Sequence, residues 1–247
     1  MRISLLGAFI DGLTLEQFAD RAAQFLNKGK PCFIITLNPE LLYRAQYKKE
    51  LLALINRADL VAADGVGIVW ACGTIGQPVP ERVTGIDLML RLLEYSAGKG
   101  WRVFFLGSAP GVAEAAAEKA VGMFPGLQVV GTHHGYFSFN ESDEVVSKIV
   151  SSSPQLLLVA TGSPSQEIWI DDNLKALGAV VAVGVGGSLD VLSGNIRRAP
   201  EWFIRRNLEW LGRLTQEPSR LRRMLVLPKF AFLVTVKYKI GKKLNRK

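Results

Sequence analysis

Cysteine is scarce in this chain: 247 residues hold two, Cys32 and Cys72. Both sit in apolar surroundings and neither belongs to a C-x-x-C spacing, which argues against a disulfide framework and a cysteine-based zinc site. A reducing, cytoplasmic compartment fits. Histidine is equally scarce, with only His133 and His134. Neighbouring residues of a regular strand point to opposite faces, so the two cannot ligate one metal from a strand, and a structural role, or support of residues that line a site, is expected. Asp171-Asp172, the one Asp-Asp pair, falls in the middle of a helical pattern and reads as a solvated face. The G-x-G-x-x-G dinucleotide fingerprint is missing, because Gly184-Val185-Gly186-Gly187-Ser188-Leu189 lacks the third glycine. No Gly-Lys-Ser/Thr phosphate loop and no Ser-His-Asp order is present. The first residues show no basic, apolar and cleavage-site succession, so no leader peptide is expected. No internal repeat or low-complexity linker interrupts the chain.

Long apolar runs are lacking too. The most apolar stretch, Met224 to Val236, contains Pro228 and Lys229. It falls short of the ~20 apolar residues that a bilayer span needs.

What is present is an uneven charge. Residues 197–247 hold 15 Lys and Arg against three acids, Glu201, Glu209 and Glu217, for a net charge of +12. Residues 1–196 hold 15 basic and 19 acidic residues, for a net charge of −4. The sequence therefore divides into a core, 1–196, and a basic C-terminal appendage, 197–247. The appendage reads as helical over 201–214, 218–227 and about 229–240, with basic, apolar and aromatic residues interleaved. Trp202, Trp210, Phe230, Phe232 and Tyr238 beside positive charge suit an anionic membrane interface. The competing reading is a helical cap packed on the core with its charges in water.

In the core, apolar runs alternate with amphipathic helical patterns through residues 31–187. This predicts an α/β fold, Rossmann-like, with a mostly parallel sheet covered on both faces. Arg2 to Leu6 reads as a first strand. Thr14 with Gln17 forms a capping box, and so does Thr84 with Asp87. Asn38 caps a helix whose first turn holds Pro39. Leu60 to Ala63 reads as a buried strand that ends at Asp64, with Gly65 and Gly67 opening a helix over 66–75.

Ligands bind outside the carboxyl ends of strands in open α/β sheets. A carboxylate there, Asp64, can take a proton from a hydroxyl; it can equally cap the helix that follows. Thr36 and Asn38 end another strand. Thr161 follows a third, with Gln166 just inside the next helix, and Arg82 precedes the Thr84 helix. These residues can converge on one cleft, although Thr and Asn at strand ends commonly serve as caps. The glycine loops 107–111 and 184–187 can turn backbone N–H groups toward a phosphate.

Taken together, the motifs resemble the WecG/TagA/CpsF glycosyltransferases, the N-acetylmannosaminyltransferase group that includes the teichoic-acid enzymes. The resemblance rests on T-L-N-P-E (36–40), A-D-L-V-A-A-D-G-V-G-I-V-W-A (58–71), P-E-R-V-T-G-I-D-L (80–88), V-F-F-L-G-S-A-P-G-V-A (103–113), G-T-H-H-G-Y-F (131–137), P-S-Q-E-I-W-I (164–170), G-V-G-G-S-L-D-V-L-S-G (184–194), R-R-A-P (197–200) and L-E-W-L-x-R-L-x-Q-E-P-x-R (208–220). These lie in order along nearly the whole chain. The resemblance implies transfer of N-acetylmannosamine, or a close relative, from a UDP-sugar to undecaprenyl-diphosphate-linked N-acetylglucosamine. It implies inversion at the anomeric centre, no metal or other cofactor, and peripheral attachment to the inner face of the cell membrane.

It further implies Asp64 as general base and Thr36, Asn38, Arg82 and Gln166 as pocket residues. Tyr136 and Asp190 would contact the nucleoside. Arg213, Arg220 and Arg223 would close over the site and meet the diphosphate. A homo-oligomer is compatible with it. Ser165 departs from the pattern, since many relatives carry Lys there. The partners expected are the UDP-sugar, the polyprenyl-diphosphate acceptor and an anionic membrane surface, with no nucleic acid. The rival reading, a non-catalytic nucleotide or nucleic-acid binder with a basic tail, predicts strongly salt-dependent binding and no need for Asp64.

Overall fold

The computed structural model describes residues 1–178, 180–206, 209–216 and 221–240, without the side chains of Phe139, Arg205, Arg213, Thr215, Arg222, Arg223, Lys239 and Ile240. At its centre is a six-stranded parallel sheet of β3 (Cys32–Leu37), β4 (Leu60–Ala63), β5 (Arg102–Gly107), β6 (Gln128–His133), β7 (Leu156–Ala160) and β8 (Val181–Gly184), in the order β4-β3-β8-β7-β5-β6. The parallel α/β expectation holds.

Alternate side chains of a strand point to opposite faces, and here both faces are apolar. Phe33, Ile35, Phe104, Leu106, Leu157 and Val159 enter one core, while Ile34, Val103, Phe105, Leu158 and Val183 enter the other. Continuous apolar strands of this kind belong to sheets covered on both sides. One face is covered by α1 (Leu15–Asn27), α5 (Gly85–Lys99), α6 (Val112–Met123) and the short α9 (Ser188–Ser193). The other is covered by α2 (Pro39–Ala45), α3 (Lys49–Arg57), α4 (Val66–Thr74), α7 (Ser142–Ser152) and α8 (Ser165–Leu177). The expected caps form: Thr14 and Gln17 make the reciprocal capping box, Asn38 accepts the Leu41 N–H, and Thr84 accepts the Asp87 N–H. Asp171 differs from its solvated reading, because it pairs with Arg57 and ties α8 to α3.

The N-terminal strand does not join the main sheet. β1 (Arg2–Leu5) pairs antiparallel with β2 (Ala8–Asp11) through a two-residue turn, Leu6-Gly7, with φ of 52° and 86°. Positive φ at both central residues is the type I′ geometry that matches strand twist. The hairpin docks on β4, where the Asp11 carboxylate accepts the Val61 N–H at 2.9 Å.

The C-terminal segment begins with α10 (Glu201–Arg205), shorter than the helix expected from 201 to 214, followed by α11 (Glu209–Gln216), α12 (Leu221–Met224) and α13 (Val226–Val234), with a π-helical turn over Thr235–Ile240. Pro228 is tolerated because it falls in the first turn of α13, where N–H groups have no helical acceptor. Phe230 and Val234 are buried in the same core as α2 and α4. At the far end of this segment the Tyr238 hydroxyl accepts the Leu6 N–H at 2.7 Å. The opposite face of α13 carries Leu225, Lys229, Phe232 and Val236 in the solvent, with Phe232 at 72% exposure. The cap reading therefore describes one face of the helix, and the interfacial reading remains open to the other. No helix among the described residues is long and apolar enough to cross a membrane.

Candidate active site

The carboxyl ends of β3, β4, β7 and β8 open into a cavity of about 290 Å³, closed on one side by Glu209 and Trp210 of α11, Met224 of α12 and Leu227 of α13. Parallel strands place all their carboxyl ends on one edge, so residues distant in sequence arrive together. Thr36, Asn38, Asp64, Arg82 and Gln166 all line this cavity.

Each is held by local structure. Thr36 is buried, and its hydroxyl donates to the Gly184 carbonyl at 2.9 Å, which leaves its oxygen lone pairs to accept. Asn38 uses its carbonyl oxygen as the cap of α2, at 2.9 Å from Leu41 N, so its amide N–H₂ is the part left for a ligand. Asp64 follows β4 directly, and its backbone N–H donates to Leu37 O at 2.9 Å. The N-cap position of α4 belongs to Gly65 rather than to Asp64. Gly65 has φ 86°, a conformation costly for any residue with a Cβ, and it turns the chain from strand to helix beside the carboxylate.

Val83 N donates to Ala63 O at 3.1 Å, which sets the Arg82 loop against the end of β4. The Arg82 guanidinium lies 3.4 Å from a Glu209 carboxylate oxygen, and both side chains are largely buried. Arg198 approaches the other Glu209 oxygen at 3.5 Å and also pairs with Asp87. Gln166 is 2% exposed; its Oε1 accepts the Gly186 N–H at 3.0 Å and its Nε2 donates to Glu167 at 2.7 Å. Glu167 is buried as well, and the loss of hydration pushes its carboxyl pKa above the usual range.

The helices α4, α5 and α8 all begin at this cavity, with Val66, Gly85 and Ser163 on its wall. Helix N-termini present unpaired N–H groups and favour negative charge. With Asp64 and Arg82, the wall can both accept a proton and stabilise an anion.

Tyr136 and Asp190 do not line this cavity. Both belong to a neighbouring position on the same edge, where Ser108 ties to Asp190 directly and to Tyr136 through Gly135. The Ser108 hydroxyl donates to Asp190 at 3.0 Å, and Ser108 O accepts the Gly135 N–H at 2.8 Å, which sets Tyr136 alongside, 74% exposed. The chain leaves β5 toward β6 and leaves β7 toward β8. The edge between β5 and β7 is therefore a topological switch point, the position where open α/β sheets bind nucleotides.

Thr161 also belongs to this side: its methyl faces Gly135, and its buried hydroxyl has no hydrogen-bond partner. Arg220 lies outside the described residues, as do the side chains of Arg213 and Arg223. Ser165 is exposed at the start of α8. The His133 and His134 rings contact each other at a tilt, and His133 meets Phe137 edge-on, away from the cavity. Among the described residues no group of three or more His, Cys, Asp or Glu side chains is placed to hold a metal ion.

Glu209, Trp210, Met224 and Leu227 were not among the expected site residues, although the resemblance already brought their segment over the site through Arg213, Arg220 and Arg223. The available signal was Glu209 itself, one of three acids in a strongly basic segment.

The chain matches the model of the glycosyl transferase WecG/TagA/CpsF family over residues 3–245. It is 38% identical over 226 residues to a Bacillus spizizenii protein named N-acetylglucosaminyldiphosphoundecaprenol N-acetyl-beta-D-mannosaminyltransferase, covering 92% of this chain and 87% of that one. A Staphylococcus aureus protein of the same name is 34% identical over 244 residues, covering 98% of this chain and 95% of its own.

Proposed function

This chain belongs to the WecG/TagA/CpsF family of glycosyltransferases, and we propose that it moves N-acetylmannosamine, or a close relative, from a UDP-sugar to undecaprenyl-diphosphate-linked N-acetylglucosamine. The acceptor and the sugar are those in the names of its relatives. The observation that carries the reading is the convergence of Asp64, Thr36, Asn38, Arg82 and Gln166 on one cavity at the carboxyl edge of the sheet.

In this reading Asp64 takes the proton of an acceptor hydroxyl. The acceptor oxygen forms its bond to the anomeric carbon as the bond from that carbon to the UDP oxygen breaks. Attack on the face opposite the leaving group inverts the centre. The charge that develops on UDP needs fixed positive partners. The helix N-termini at the cavity supply part, and Arg213, Arg220 and Arg223, with their planar forks, supply the rest. The nucleoside lies between Tyr136 and Asp190 at the β5/β7 switch point. Thr36, Asn38, Arg82 and Gln166 hold the sugars. The proposal assigns no step to a metal.

The acceptor is a membrane lipid, and the exposed face of α13 with the basic C-terminal segment suits a peripheral contact with the anionic inner surface of the cell membrane. The product is then a lipid-linked disaccharide for a cell-surface polymer such as teichoic acid. An assay of UDP-sugars against a short-chain lipid-diphosphate N-acetylglucosamine, with the product linkage determined, tests the reading. UDP-N-acetylmannosamine should yield UDP and an inverted disaccharide. No transfer from any UDP-hexosamine would overturn it.

A further inference from the structure

Glu167 is a buried acid that the mechanism above leaves without a role. It is 1% exposed and stands directly after Gln166, yet it is not itself on the cavity wall. A carboxyl in such a place is expensive to bury. A Met or Leu would fill the same volume without that cost. One Glu167 oxygen accepts a hydrogen bond from Gln166 Nε2 at 2.7 Å, the Ser163 hydroxyl and the Glu167 backbone N–H also favour the ionised carboxyl, and Oε2 makes no hydrogen bond of its own.

The other contacts of Gln166 show what this one does. Its Oε1 accepts the Gly186 N–H at 3.0 Å. Its amide packs against Gly184 of β8, so close that a Cβ there would stand 2.7 Å from Nε2. Turning the amide over would set its N–H₂ group against the Gly186 N–H, a repulsive contact, and its oxygen against the Glu167 carboxyl, repulsive where that group is ionised. Glu167 and Gly186 therefore specify the same orientation from opposite ends. A primary amide has two N–H donors. One goes to Glu167, and the second is what Gln166 can offer to an oxygen of a sugar in the cavity.

We infer that Glu167 is a positioning residue, which locks the Gln166 carboxamide so that its remaining N–H meets a hydroxyl or acetyl oxygen of the bound sugar. The sugar half of this statement rests on the proposed glycosyl transfer; the locking half does not. Oε1 accepts whether or not the carboxyl is ionised, so Glu167→Gln, which keeps an acceptor, is the conservative variant. Glu167→Met keeps the volume and removes the acceptor.

Two measurements test it. The first is NMR of ¹⁵N-labelled protein, in which the Gln166 side-chain amide is the signal pair absent from Gln166→Ala. One of its N–H groups should exchange slowly in wild type and in Glu167→Gln, and quickly in Glu167→Met. Unchanged protection in Glu167→Met overturns the inference, whatever the activity.

The second is a double-mutant cycle on kcat/KM with a soluble acceptor. Glu167→Met should lower kcat/KM about tenfold in the wild-type background, with Glu167→Gln within about threefold of wild type. In the Gln166→Ala background the same change should cost less than about twofold, because nothing remains to be positioned. A full, additive loss in that background would show that Glu167 acts by another route. A wild-type protein that transfers no sugar would defeat the proposed function instead, with the NMR comparison still deciding whether Glu167 holds Gln166.

Discussion

Arg82 and Glu209 face each other at 3.4 Å across the cavity wall, one from the loop before α5 and the other from the C-terminal helix α11. The side chains are 16% and 8% exposed, so the pair is screened far less than a surface ion pair. It is an ionic contact through which the basic C-terminal segment meets a residue of the proposed sugar site. Arg82 therefore depends for its position on a residue 127 places along the chain.

Breaking this pair should cost stability. Glu209→Gln leaves Arg82 and Arg198 in a partly buried site with less negative charge, at a cost of about 1–3 kcal/mol. Arg82→Gln should cost a similar amount, and the double variant less than the sum. Thermal or urea denaturation of the four proteins reads this directly, and strictly additive losses would show that the two residues are not coupled.

Asp64→Asn keeps the shape of the side chain and removes its basicity. Turnover should fall about 100-fold or more, while UDP affinity measured by calorimetry stays near that of wild type. A purified variant that turns over at the normal rate would remove Asp64 from the role of base.

Activity should survive EDTA. Among the described residues no cluster of ligand-type side chains stands ready for a metal, and arginines and helix N-termini are the proposed partners of the leaving diphosphate. Loss of turnover in EDTA with recovery in Mg²⁺ or Mn²⁺ would place a cation in the reaction.

The two faces of α13 should separate by mutation. Phe232 is 72% exposed, so Phe232→Ser should leave the melting temperature nearly unchanged and weaken binding to anionic liposomes. Phe230 is 1% exposed, so Phe230→Ala should destabilise by about 3 kcal/mol or more. Salt should weaken liposome binding by the intact protein. Liposome binding that ignores both Phe232→Ser and salt would rule out this face as the contact.

Much of this organisation was legible in the residue order because it is local. A cap needs only Thr14 and Gln17, or Thr84 and Asp87, three places apart; the first pair makes the reciprocal box, whereas in the second Thr84 accepts the Asp87 N–H while Asp87 accepts the Thr84 hydroxyl instead of its backbone N–H. Asn38-Pro39 carries its own instruction to begin a helix. The apolar runs that became β3, β4, β5, β7 and β8, each bounded by turn residues and alternating with helical patterns, read as strands buried on both faces, and a parallel sheet then brings the residues after each strand to one edge. That geometric rule alone took Thr36, Asn38, Asp64 and Gln166 to one cavity.

Other features depended on contacts that no local pattern encodes. The Leu6-Gly7 turn makes a hairpin out of what reads as a single strand, and it is held by Tyr238 from the other end of the chain. The order β4-β3-β8-β7-β5-β6 set Tyr136 and Asp190 around Ser108, beside rather than inside the cavity that holds Asp64. The return of α11 to the cavity placed Glu209 against Arg82. Within the parallel core the residue order by itself determined the helices and strands and which polar residues stand at strand ends, because capping, periodicity and turn chemistry act within a few residues. Only the tertiary structure decided which strand ends are neighbours, which face of α13 is buried and which buried acid holds Gln166, because those outcomes depend on the packing of surfaces far apart in the chain.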